Sequence, residues 1–281
     1  MPELPEVETI ARTLAPDVLG REIEAVAAPD PSALHPDVPG FAALAVGRRI
    51  ASVGRRGKLL LLGLSDQGAL AVHLRMTGRV MAYGPGLEPD RPRAVLSLSG
   101  GVRLSFADVR RFGSLHAFGP GGIEAWPFYA GLGPEPLLMT PAEFRARLGQ
   151  GRARIKALLL DQGVVAGIGN IYADESLLRA GIRPDTPAGQ LTPRRRDALF
   201  AAIQAVLTLA IAENGSSIRD YRDAHGDAGA FQNHFLAYGR GGQPCLACGS
   251  TMQTMRVAGR TSTYCPRCQP LVEAQAAGRL G

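Results

Sequence analysis

The chain has 281 residues, 46% of them apolar and 20% charged, enough for about two domains with sizeable cores. No apolar run reaches the ~18 residues of a membrane-spanning helix and no basic-then-apolar leader opens the chain, so a cytoplasmic location and no membrane partner are expected. A net charge of +6 favours an anionic partner, nucleic acid first.

The chain begins "MPELPEVETI". Pro5, Glu6 and Glu8 suit the first turn of a helix, and "VETIARTL" carries its apolar period. Helix-start chemistry leaves Pro2 and Glu3 unexplained. Up to about residue 130 the sequence then reads as β structure. "EIEAVAA", "RIASVGRR", "KLLLLGL", "GALAVHL", "RVMAYG", "AVLSLS", "VRLSFAD" and "SLHAFG" are short β-rich runs punctuated as in a sheet sandwich. Residues 85–93 read as a loop, and "GLGPEPLL", 131–138, as an interdomain linker.

Beyond the linker the pattern turns helical. Thr140, Pro141 and Glu143 form a capping-box signature before "EFRARL". "ARIKALLLDQ", "NIYADESLLRAG" and a long segment from Thr192-Pro193 to Asn214-Gly215 are further helices. The Gly-rich stretch before Asn170 presents backbone N–H groups to a phosphate, and no lysine follows as it would in a nucleotide-binding P-loop. The polar stretch 216–234 is long for a loop, which suggests function or mobility. Lys58 and Lys156 are the two lysines among 31 basic side chains, so each hints at a need that guanidinium cannot meet.

Every cysteine lies near the end, as Cys245-x2-Cys248 and Cys265-x2-Cys268 separated by 16 residues. Two such knuckles converge on one tetrahedral zinc ion. Four protein ligands leave no open position, so this zinc is expected to be structural. Bound as thiolates, the site lowers the net charge to about +4. The hairpin between the knuckles carries Arg260 at its tip, as a phosphate contact would be carried.

Together, "PELPEVET", "GKLLLL", "HLRMTG", "DVRRFG", "GIGNIYADESL", "YGRGGQPC" and the four-cysteine ending resemble the bacterial formamidopyrimidine-DNA glycosylases over about residues 1–269. The resemblance implies an α+β fold: an N-terminal β-sandwich flanked by helices (1–132), a helical domain with a helix–two-turn–helix element (138–240), a zinc finger (241–269) and a disordered tail (270–281). It implies a monomer acting on duplex DNA that contains oxidised purines or abasic sites, with one structural Zn2+. Pro2 would be the Schiff-base nucleophile once Met1 is removed, and Glu3 the proton donor. Lys58 would give the proton for β-elimination and Arg260 that for δ-elimination, both beside phosphates. Met76, Arg110 and Phe112 would fill the space left by a flipped base, and Asn170 would contact a phosphate. Lys156 would either face the DNA or cover the helix surface with its alkyl stem. Ser217, Ile218, Arg219 and Tyr221 would belong to a loop closing on the lesion.

Arg75 and Val109 depart from the glycine and proline common in the family at those positions. The related endonuclease VIII type shares the start and the finger. Leu4 and the 216–226 loop favour the purine enzyme. A non-catalytic zinc-ribbon DNA-binding protein would need no Pro2 amine.

Overall fold

The computed structural model describes residues 2–87, 90–218 and 221–271; Arg219 and the tail expected at the C-terminus from 272 onward lie outside them. The chain forms two compact units, Met1–Leu132 with Thr208–Asn233, and Gly133–Leu207 with His234–Gly281.

The first unit opens with α1 (Leu4–Val18), which buries Leu4, Val7, Ile10, Ala11, Leu14 and Val18 at helical spacing against the sheets. Then come β1 (Ile23–Ala27), β2 (Leu34–His35), α2 (Val38–Ala45), β3 (Ile50–Arg56), β4 (Leu59–Leu64) and β5 (Ala69–His73). They are followed by β6 (Gly78–Tyr83), β7 (Ala94–Leu98), β8 (Val102–Asp108), β9 (Ser114–Phe118) and the short α3 (Pro127–Ala130). Strand orders β1-β7-β8-β6 and β2-β9-β5-β4-β3 make two sheets. Inward residues of both, among them Leu62, Val72, Leu96, Leu104 and Phe106, share one apolar core.

All eight β-rich runs of the sequence are strands here. The two-residue β2 and helix α2 were not expected, although Asp37, whose carboxylate accepts from Gly40 N, and Pro39 in the first turn were a legible helix start.

The second unit holds α4 (Pro141–Leu148), α5 (Ile155–Leu160) and α6 (Asn170–Arg179). The long α7 (Pro193–Ala212) runs on into residues assigned to the first unit, and the hairpin β10 (Gln253–Val257) and β11 (Arg260–Tyr264) completes the second. Thr140 caps α4 with Glu143 reaching back to its N–H at 2.7 Å. Helices α5 and α6 are joined by two turns that Gln162 buttresses: its Nε2 donates to Leu160 O and Ile168 O, and its Oε1 accepts from Gly167 N. This is the helix–two-turn–helix element. No described helix is long and apolar enough to cross a membrane.

Candidate functional site

In the first unit Glu3 is the N-cap of α1, with extended backbone, and both Pro2 and Glu3 are buried. The carboxylate of Glu6 makes two attachments. Its Oε2 accepts from Glu3 N at 2.8 Å, and its Oε1 accepts from Ser216 N at 2.8 Å and Ser216 Oγ at 3.0 Å. Charge-assisted bonds of this kind are the stronger class. One buried side chain therefore ties the start of the chain to the start of the 216–227 segment. Gly215 has to be glycine: its φ is +77°, and a Cβ would sit 3.0 Å from Glu6 Cγ and Oε1.

The segment that follows is anchored along α1. Ser217 N donates to Gln232 Oε1 at 2.8 Å, Ser217 Oγ donates to Tyr221 O, and the buried Tyr221 phenol donates to Glu6 O at 3.3 Å. Burial and the nearby Glu6 carboxylate push the Tyr221 hydroxyl far above its ordinary range, so it stays a proton donor. Farther along, Ala224 N donates to Thr13 Oγ1, and His225 Nε2 lies 2.8 Å from Asp17. Ile218 stays 44% exposed among these fixed points.

Lys58 sits in the two-residue turn between β3 and β4, after Gly57 in the left-handed region. Only 9% of it is exposed. His73 stands opposite Leu59 in the neighbouring strand. Burial first, then the charges of Arg75 and Lys58, hold its imidazole down at about 3, so it is neutral near pH 7. Met76 lies in the turn before β6, while Arg110 and Phe112 lie in the turn after β8. Phe112 is 57% exposed, with the Arg110 guanidinium 5.1 Å above its ring centroid.

In the second unit Asn170 begins α6 after the N-cap Gly169, and its Nδ2 donates to Thr261 O at 3.0 Å. Arg260 is exposed beside the Ala258-Gly259 turn, where both residues have positive φ. Lys156 corrects the expectation that it faces DNA. It is fully buried, its Nζ 2.6 Å from Asp174 Oδ1 and 3.3 Å from Thr261 O. A buried ammonium needs a counter-charge, and the same Asp174 also accepts from Thr263 N at 3.1 Å. Lys156 thus fastens β11 to α5 and α6. Glu175 plays a matching part, accepting the N–H groups of Leu236, Ala237 and Tyr238. Gln162, Asp174 and Glu175 were not singled out from sequence.

The four cysteine Sγ atoms lie within 4.8 Å of one another, with Cys245–Cys268 at 3.9 Å and Cys248–Cys265 at 3.4 Å. Tetrahedral Zn–S bonds of ~2.3 Å require sulfurs about 3.8 Å apart. Cys245, Cys248, Cys265 and Cys268 fit one structural zinc, and it closes a core otherwise made of little more than Ala237 and Met252.

Three family models match in succession: the formamidopyrimidine-DNA glycosylase N-terminal domain over residues 1–115, that enzyme's H2TH domain over 132–222, and a zinc finger found in FPG and IleRS over 242–271. The formamidopyrimidine-DNA glycosylases of Chloroflexus aggregans and Chloroflexus aurantiacus are 50% and 49% identical to the chain. They align with 97% and 96% of it and with 100% and 98% of their own lengths. The crystal structure of the MutM (Fpg) protein of Thermus thermophilus superposes with a TM-score of 0.86 at 44% identity, covering 95% of this chain and 98% of that one. A Lactococcus lactis Fpg mutant in complex with DNA containing Fapy-dG gives 0.89 at 34% identity, covering 96% and 100%.

Proposed function

The chain belongs to the formamidopyrimidine-DNA glycosylase family, and we propose that Pro2, Glu3, Lys58 and Arg260 carry that family's chemistry here. The enzyme is a DNA glycosylase with abasic-site lyase activity. It excises oxidised purines, 8-oxoguanine and formamidopyrimidines, from duplex DNA.

With Met1 removed, Pro2 presents a secondary amine whose reference pKa of about 8 leaves a useful fraction unprotonated near neutrality. Its nitrogen bonds to the sugar C1′ as the bond from C1′ to the damaged base breaks. Glu3 supplies the proton for sugar-ring opening. A secondary amine yields a cationic iminium, which draws electrons from C2′ and acidifies its proton. β-Elimination then expels the 3′ phosphate, with Lys58 as proton donor, and δ-elimination expels the 5′ phosphate, with Arg260 as donor. Ser217, Ile218, Arg219 and Tyr221 close over the flipped purine. Met76, Arg110 and Phe112 fill the vacated stack, and Asn170 holds a phosphate. Zinc, when bound, supplies only rigidity to the Arg260 hairpin. The protein works as a monomer in the bacterial cytoplasm, at the nucleoid, with catalytic, helical and zinc-finger parts over 1–132, 138–240 and 241–269.

The observation that supports this reading most is the Glu6 carboxylate, which joins the Glu3 backbone to Ser216 at the head of the lesion loop. Blocking the N-terminus with a non-removable tag should abolish both excision of 8-oxoguanine and borohydride trapping on abasic DNA. An N-terminally blocked protein that excises at the normal rate, or a trapped adduct that maps to Lys58, overturns the Pro2 mechanism. Thymine glycol cut faster than 8-oxoguanine would favour the endonuclease VIII type.

A further inference from the structure

The turns that carry Met76 on one side and Arg110 with Phe112 on the other close the same end of two paired strands. Gly78, first in β6, stands opposite Asp108, last in β8. The Asp108 side chain is wholly buried. Its Oδ1 accepts from Thr77 Oγ1 at 2.5 Å and from Arg110 N at 3.2 Å, and its Oδ2 accepts from Gly113 N at 2.7 Å. One carboxylate thus takes donors from both turns.

A second layer stands behind it. Arg93, with 7% of its side chain exposed, places Nη1 3.7 Å from Asp108 Oδ2 and donates it to Gly113 O at 2.8 Å. Its Nε donates to Asp30 Oδ2 at 2.8 Å and its Nη2 to Ser32 Oγ at 3.2 Å. Asp30 also receives Arg111, through Nε at 2.9 Å and Nη2 at 2.8 Å. The hydroxyl of Ser32 and the two guanidiniums hold the Asp30 carboxyl far below the usual carboxylate range.

This anchoring answers a backbone demand. Arg111 has φ +59° and Arg75 has φ +53°, left-handed positions that disfavour residues other than glycine. Arg111 is held there by Asp30. Arg75 is held by its N–H, which donates to His73 Nδ1 at 3.1 Å. With both turns fixed, the Arg110 guanidinium lies over the Phe112 ring, 5.1 Å from its centroid.

We propose that Asp108 is a positioning residue for base extrusion: it clamps the Met76 turn to the Arg110–Phe112 turn so that the three inserted side chains meet the duplex preassembled, with the Arg93–Asp30–Arg111 chain as its backing. The proposal rests on the reading that Met76, Arg110 and Phe112 enter the base stack. Asp108 is wholly buried, so it acts through the two turns rather than on DNA. A loose wedge has to be ordered while the stack is being opened, at a cost in backbone entropy. A braced one avoids that cost.

The test is stopped-flow fluorescence of 2-aminopurine placed beside 8-oxoguanine, which reads extrusion, run with single-turnover incision of a preformed abasic site opposite a one-nucleotide gap. In Asp108→Asn one oxygen still accepts, but the amide turns a donor toward Gly113 N–H, the loss of one buried hydrogen bond. Extrusion should slow about tenfold, while incision of the gapped abasic substrate stays near wild type. Thr77→Val should slow extrusion as well, and Thr77→Ser should restore it. If Asp108→Asn does not fold, the Thr77 pair carries the test. Unchanged extrusion in Thr77→Val, or an equal loss on the gapped substrate, overturns the brace. Should Phe112→Ala and Met76→Ala also leave extrusion unchanged, the insertion reading itself has failed; if they slow it while Asp108→Asn and Thr77→Val do not, only the brace has.

Discussion

The two units hold the side chains proposed to meet DNA by different means. In the first, a sandwich with a large continuous apolar core supports turns whose backbone N–H groups converge on buried carboxylates, Glu6 and Asp108. In the second, the Arg260 hairpin has an apolar core of a few residues, so its order depends on four thiolates and on the buried Lys156–Asp174 pair. A large core leaves polar groups to set fine geometry. A small one needs metal and charge to hold it folded at all.

Metal removal should separate the two regions most sharply. Structural zinc contributes an apparent ~10–16 kcal/mol in small fingers at neutral pH. Chelation, or Cys265→Ser, should therefore abolish hydrogen-exchange protection over 253–264 and weaken DNA binding while the first unit's strands stay protected. Normal binding and incision by metal-free protein would refute this dependence.

The next effect is that of breaking the buried ion pair. Lys156→Met leaves the Asp174 carboxylate uncompensated and should cost about 3–5 kcal/mol in urea unfolding of the second unit. Lys156→Met combined with Asp174→Leu should cost clearly less. A double variant as unstable as the sum of its parts would show that the pair has no mutual term.

Acid should act on the first unit. His73, buried, and His116, half-buried, are neutral, held at about 3 and about 4 against an ordinary 6.5, chiefly by desolvation. The unfolded chain binds more protons than the folded one below 6.5, so stability falls as pH drops from there toward 3. For His73 the slope is about 1.4 kcal/mol per pH unit. Denaturant midpoints followed by Trp126 fluorescence from pH 7 to 4.5 read it, and a flat profile, or no flattening in His73→Gln, would contradict it.

The smallest effect expected is at Glu6. In Glu6→Gln one oxygen can still accept, but the amide points a second donor at either Glu3 N–H or Ser216. The cost should be about 1–3 kcal/mol, seen as faster hydrogen exchange at 216–218 and 221–227 together with slower 8-oxoguanine excision. Unaltered exchange would show that Glu6 does not couple the loop to the chain start.

Much of this protein was legible in order along the chain. Alternating apolar runs fix strands because side chains alternate across a sheet, and Thr140, Pro141 and Glu143 mark a helix start because orphan N–H groups need acceptors. The cysteine spacing specifies the metal site, since a tight knuckle places both of its thiolates on one ion. Pro2, Glu3 and Lys58, the proposed catalytic groups, stand out in the sequence through motif and composition. What tertiary structure alone decided is the pairing of polar groups far apart in sequence. Glu6 meets Ser216 across 210 positions, Thr77 meets Asp108 across 31, and Lys156 meets Asp174 and Thr261 across 18 and 105. Lys156 is the instructive case: a lysine kept in an arginine-rich chain fits either facing DNA or covering a helix surface, and local sequence carries no signal that the fold would place a carboxylate 2.6 Å away and seal both from water. Periodicity records which face of an element is apolar, whereas the partner of a buried charge depends on where two distant elements meet.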